Sequence, residues 1–157
     1  KHWGEVPVHV LLFLTAAMTI GKVGGVTGMN NWIAETVLPS TIPSNPYLLA
    51  AIIAVISIGI HMVLGSVIAV MGIAIPALLI FTEPMSISPI VITLLVYSSI
   101  SIHYILPFHH LNILVGQGEE NGMYGQKEVL RLGVPLTAVV FIIVFIEVIY
   151  WKLIGLF

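Results

Sequence analysis

Six histidines stand in a chain with only twelve Asp, Glu, Lys or Arg residues, and four of them, His61, His103, His109 and His110, fall beside interruptions in long apolar runs. Imidazole exchanges protons and binds metals near neutral pH, so these positions are the first candidates for chemistry. Three uses compete. A ring nitrogen can hydrogen-bond a backbone group freed by an interrupted helix. His61 and His103 can act as a proton relay. A metal centre from His103, His109, His110 and Glu119 would make the chain a membrane redox enzyme. The sequence spacing matches no metal-ligand pattern, and adjacent His109 and His110 point different ways on a helix. Hydrogen bonding therefore ranks first, the relay second and the metal third. Glu147 is the one carboxylate inside an apolar run, where it either serves function or snorkels toward Lys152. Thr15, Thr19 and Ser57 read as hydrogen bonds between helices.

The elements that position these residues must lie in lipid. The chain has 157 residues, 59% of them hydrophobic and 8% charged, with a mean hydropathy of +1.12. A soluble domain carries roughly a quarter of its residues as charges, so this one lacks the polar surface to face water. A soluble enzyme, a nucleic-acid binder and a disordered tail are excluded on that ground. The net charge of −2 also argues against a polyanionic partner. Cysteine is absent, which removes disulfides and thiolate metal sites. The first residue is Lys1 rather than Met, which reads as a piece of a longer chain ahead of the alternative, a processed product.

Residues 6–20 form a first apolar run, read as a span entered through Pro7 and closed by Gly21-Lys22. In residues 26–38, Met29, Trp32, Ile33, Thr36 and Val37 recur at helical spacing opposite Asn30, Asn31 and Glu35, the pattern of a helix lying in the interface. Residues 47–81 run for 35 positions without a charge. One helix of that length would extend about 52 Å, against a hydrocarbon core of about 30 Å. The chain must therefore break, and His61 with Gly65-Ser66 is the only polar cluster near the middle. A turn reading His-Met-Val-Leu-Gly-Ser is too apolar for a water-facing loop, so a re-entrant helical hairpin is favoured over two spans joined at the far surface. Residues 90–118 read as a discontinuous helix: an apolar arm to Leu106, an unwound middle from Pro107 to Asn112, and a short second arm ending at Gly116-Gln117-Gly118. Residues 119–131 are polar and belong in water or headgroups, and 132–152 form a last span anchored by Tyr150, Trp151 and Lys152.

Two interrupted elements in one short membrane segment are the functional signal. An unwound helix exposes carbonyls that suit cations and N–H groups that suit anions, and paired Gly/Pro interruptions point to a transporter binding site. The plainer use of Gly65, Ser66 and Gly72 is close helix packing. For the paired breaks, function is the stronger reading.

The residues also resemble a known family. Pro7, Leu11-Leu12-Phe13, Thr27-Gly28 and Trp32-Ile33-Ala34 follow the opening of the second repeat of the divalent anion–sodium symporters. That family has a Ser-Asn-Thr hairpin tip with a proline ten residues after the serine. Here Ser66 precedes Pro76 by ten, so Ser66-Val67-Ile68 takes the motif's place. Leu106-Pro107, Asn112 and Gly116-Gln117-Gly118 follow the outline of the family's later break. Val67 and Ile68 replace the polar pair of the tip, and Phe108-His109-His110-Leu111 replaces a Thr-Pro-Pro stretch, which leaves the coupling ion open between sodium and proton.

The reading is an all-α, multi-pass membrane protein with a re-entrant hairpin and a discontinuous helix, forming the C-terminal repeat of a secondary transporter. The resemblance implies transport of a small di- or tricarboxylate-like or sulfate-like anion by alternating access, with no covalent chemistry and no cofactor beyond the coupling sodium ion or proton. Gly65, Ser66, Val67, Ile68, Pro107, His109, His110 and Asn112 are the expected substrate and ion contacts, with His61 and His103 as the relay. Partners are the lipid bilayer, the anionic solute and an inverted N-terminal repeat of the same transporter, and a homodimer is left open. The competing readings are a His-liganded membrane metalloenzyme and a non-transporting assembly subunit.

Overall fold

A computed structural model describes residues 8–29, 32, 35, 36, 43–117 and 122–157. The protein is all-α. Its helices are α1 (Val8–Val26), α2 (Pro46–Leu64), α3 (Val67–Thr82), α4 (Pro89–Ser101), the short α5 (Leu111–Gly116) and α6 (Gln126–Leu153), with a 3-10 turn at Glu83–Met85. Three helical stretches among the described residues are long and apolar enough to cross a membrane: Pro46–Leu64, Val67–Met85 and Gln126–Leu153. Large apolar side chains face outward along these helices, including Val55, Val63, Ile142 and Ile146. Water would not tolerate so continuous an apolar surface, and lipid does.

α1 continues past the glycines at which the sequence suggested an end. In lipid each unbonded backbone group is costly, so helical bonding is kept through Gly21, Gly24 and Gly25 despite their poor propensity. Of 26–38, read as an interfacial helix, residues 30, 31, 33, 34, 37 and 38 lie outside the described residues, as do 39–42 of the following turn and residues 118–121.

α2 begins where Asn45 accepts hydrogen bonds from the N–H groups of Tyr47 and Leu48, with Pro46 at the first helical position. It ends at Gly65 and α3 starts after Ser66, so only two residues separate the helices. α2 and α3 pack on one another, and both pack on α4. Because α4 has 13 residues and extends only about 20 Å, two helices that share it must lie side by side: α2 and α3 form a hairpin. α1 packs along α3, and α6 closes the group against α2 and α4. The interior comes from one face of each element: Leu49, Ala50, Ile53 and Ala54; Val70, Ala74 and Leu78; Val91, Ile92, Leu95, Val96 and Ile100; Val140, Val144 and Val148. Alanines at positions 50, 54 and 74 let backbones approach closely, the usual basis of helix association in lipid.

α6 starts at Gln126, six residues before the span read from hydropathy. The Glu128 carboxylate accepts the Gly125 N–H at 3.0 Å, capping the helix within polar sequence. Lys, Glu and Gln are good helix formers, so apolarity alone misplaced this end.

Candidate ion and anion site

The hairpin tip and the unwound segment meet. Gly65 has φ +61° and ψ +20°, a left-handed conformation, and its N–H donates to the His61 carbonyl at 2.8 Å. A Cβ at this position would overlap the Phe108 ring. Glycine is therefore required twice, for its dihedral angles and for the close approach of the break. Ser66 is buried, with its Oγ accepting the Ala69 N–H at 3.4 Å as the N-cap of α3. Val67 is half-buried and Ile68 is exposed.

Helix α4 stops at Ser101 and α5 resumes at Leu111, so 102–110 is unwound backbone. Side chains satisfy much of it. Gln126 Nε2 donates to the Ile105 carbonyl at 2.8 Å. His110 Nε2 donates to the Ile100 carbonyl at 3.2 Å. His109 Nδ1 accepts the N–H groups of Ile105 and Leu106, both at 3.4 Å. The His61 ring reaches across from α2, its Nε2 lying 3.4 Å from the His109 carbonyl. Hydrogen bonding to a broken helix, the plainest role for the histidines, is thus filled by three of the four.

His103 differs. Its Nδ1 lies 3.3 Å from His61 Nδ1, and its Nε2 is buried without a hydrogen-bond partner. Donor and acceptor counting assigns the protons of the neutral rings. A carbonyl only accepts, so His61 carries its proton on Nε2 and presents a lone pair at Nδ1. His103 must then donate from Nδ1, which leaves its Nε2 a bare lone pair. His109 accepts at Nδ1 and carries its proton on Nε2, also buried and without a partner. His61, His103 and His109 are all essentially inaccessible. The His61 and His109 rings stack at 4.4 Å between centroids, and His103 and His109 lie at 4.9 Å. Among the described residues, one nitrogen from each of the three falls within 4.8 Å of the others. His110 adds no nitrogen to this group; its ring stands edge-on to His61 at 5.6 Å and against Tyr104 at 4.5 Å.

His61 lies in the last turn of α2 and His103 two residues beyond the end of α4. Two helix C-termini, each carrying partial negative charge, therefore converge on the cluster.

Of the residues singled out in the sequence, Gly65, His61, His103, His109 and His110 come together, with Ser66 beside them at the tip. Pro107 is half-buried within the break. Asn112 does not join them: it is exposed, its Oδ1 accepts the neighbouring Ile113 N–H, and its carbonyl accepts from Tyr124. Glu147 pairs with neither cluster nor lysine. Its Oε1 accepts a 2.5 Å hydrogen bond from Ser98, while Lys152 sits 5.8 Å over the Tyr47 ring. Glu119, considered as a metal ligand, lies outside the described residues.

Sequence reasoning missed Phe108 as the cover of the tip, Gln126 as the partner of Ile105, and Gly133, where a Cβ would collide with the Tyr104 carbonyl. Gln126 and Gly133 stand seven residues apart, two helical turns, on the face that also buries Val129 and Val140. That periodicity was the available signal.

Apolar helices with outward apolar faces, a hairpin, and an unwound segment held against its tip define a multi-pass membrane protein of the kind in which interrupted helices form a solute or ion site. Residues 4–157 match the sodium:sulfate symporter transmembrane region, and the chain belongs to that family. The protein is thus placed among sodium-coupled anion transporters. No curated protein and no solved structure matches the chain.

Proposed function

We propose that the chain is one repeat of a symporter that carries a small divalent anion, of the sulfate or dicarboxylate kind, together with sodium by alternating access. The observation that carries this reading is the seating of the Gly65 tip against Phe108 in the unwound segment. It brings the C-terminal ends of α2 and α4 to one place, where aligned dipoles favour a cation. Val67 and Ile68 offer no side-chain oxygen, so sodium in this reading is held by backbone carbonyls of the interrupted helices. The anion is drawn to the opposite polarity. The first N–H groups of α3, at Val67 and Ile68, have no carbonyl partner within the helix and carry its positive end. The other half of the site comes from an inverted repeat outside these residues.

The test is uptake of radiolabelled sulfate and succinate into proteoliposomes containing the full-length protein. The expected result is saturable uptake that requires an inward sodium gradient and is lost in Ser66→Leu. Uptake driven by a pH gradient without sodium would refute sodium coupling. Absence of flux for any anion under either gradient would refute transport and leave an assembly role.

A further inference from the structure

The structure also assigns a role to the histidine cluster that anion symport does not need: we propose that His61, His103 and His109 bind a divalent transition-metal ion of the zinc class. The three residues are separated by 42 and 6 positions in the chain, and folding brings one nitrogen of each within 4.8 Å of the others in a buried site. The donors are all imidazoles. Nitrogen ligands of this type select zinc, cobalt, nickel or copper over magnesium or calcium, which take oxygen.

Geometry supports it in three ways. The Nδ1 atoms of His61 and His103 lie 3.3 Å apart, close to the ~3.3 Å between two nitrogens that share a tetrahedral ion at about 2.0–2.1 Å. The hydrogen bonds within the cluster are long, at 3.3–3.4 Å, and the one N–H···O contact among them, His61 to the His109 carbonyl at 3.4 Å, lies well beyond the usual ~2.9–3.0 Å. Two buried ring nitrogens, Nε2 of His103 and of His109, have no partner at all. His61 is already oriented as a ligand. Its Nε2 proton is directed at the His109 carbonyl, the outer contact that fixes a metal-bound imidazole, and its Nδ1 lone pair faces the cluster. Binding through the Nδ1 atoms of His61 and His103 needs the His103 proton moved to its Nε2, and His109 must yield either its Nε2 proton or the two N–H groups that its Nδ1 accepts. The converging C-termini of α2 and α4 add attraction for a dication. Three protein ligands leave a fourth position open for water or an anion.

One ligand comes from the hairpin and two from the unwound segment, so a bound ion fastens one to the other. The site is thus placed to hold the two interrupted elements in a single arrangement.

The experiment titrates Co²⁺ alone into the purified full-length protein, with Zn²⁺ as competitor. One Co²⁺ per chain with visible bands of tetrahedral intensity, displaced by Zn²⁺, is the expected result. His61→Gln and His103→Gln should each weaken binding by at least about tenfold. His103→Cys should retain the ion and add a sulfur-to-cobalt charge-transfer band, which only a ligating side chain produces and which shows that the altered protein folds. No Co²⁺ binding at millimolar concentration, binding equal in His103→Gln, or a folded His103→Cys protein without the new band would each overturn the proposal.

Discussion

Replacing Gly65 by alanine, alone and with Phe108, measures how the hairpin tip is held against the break. Gly65 has φ +61°, a conformation that costs an L-residue about 1–2 kcal/mol. The new Cβ would also enter the Phe108 ring, and such overpacking typically adds about 1–3 kcal/mol. Gly65→Ala should therefore destabilise the protein by about 2–5 kcal/mol, as the sum of those two ranges. Phe108→Ala removes the ring and with it the overlap. In the double variant only the dihedral strain remains from position 65, so the two substitutions should be coupled by about 1–3 kcal/mol, the double being less damaged than the sum. Equilibrium unfolding of the four proteins in mixed micelles gives the cycle directly. Additivity within about 0.5 kcal/mol would mean that the two residues do not touch, and the junction as described would be wrong.

Gln126→Ala should destabilise by about 1–3 kcal/mol, because the Ile105 carbonyl loses its 2.8 Å donor in a segment with few alternatives; unchanged unfolding would show that carbonyl to be satisfied otherwise. Gly133→Ala should destabilise although alanine is the better helix former by about 1 kcal/mol, since the obstacle is the Tyr104 backbone, which cannot rotate away. A neutral or stabilised Gly133→Ala protein would contradict the packing of α6 on the break. Asn112→Ala should keep anion uptake close to that of the parent, given the exposure and local bonding of the side chain; loss of uptake with normal insertion would place Asn112 back in the site.

The two interruptions were legible because each has a local physical cause. An uncharged run of 35 residues is too long for the bilayer and must bend where Gly65 can take positive φ. Pro107, which lacks the N–H needed to continue a helix, marked the second break but not its extent: α4 stops at Ser101 instead of Leu106, and α5 already resumes at Leu111. The divergence of His109 from His110 was legible too, as adjacent positions on any local backbone seldom face one way. The cluster of His61, His103 and His109 was not, because 42 residues of chain separate the first two and only packing of the hairpin on α4 brings them together. Sequence spacing therefore ranked the metal reading third. Asn112 entered through a motif outline, and its side chain is exposed and bonded to the neighbouring Ile113 N–H. Gln126 was hidden because a polar helix start resembles a loop when hydropathy alone is followed.

The account stands on the tip and break lining the path of the transported anion. The described chain has no cysteine, and Phe108 is 45% exposed at the junction, so Phe108→Cys in an otherwise cysteine-free full-length protein offers a single reporter. Its rate of reaction with a membrane-impermeant maleimide should fall saturably as sulfate or succinate is added with sodium, with half-protection at the concentration that half-saturates uptake. A labelling rate indifferent to every transported anion, at concentrations that saturate transport, would put the solute path elsewhere.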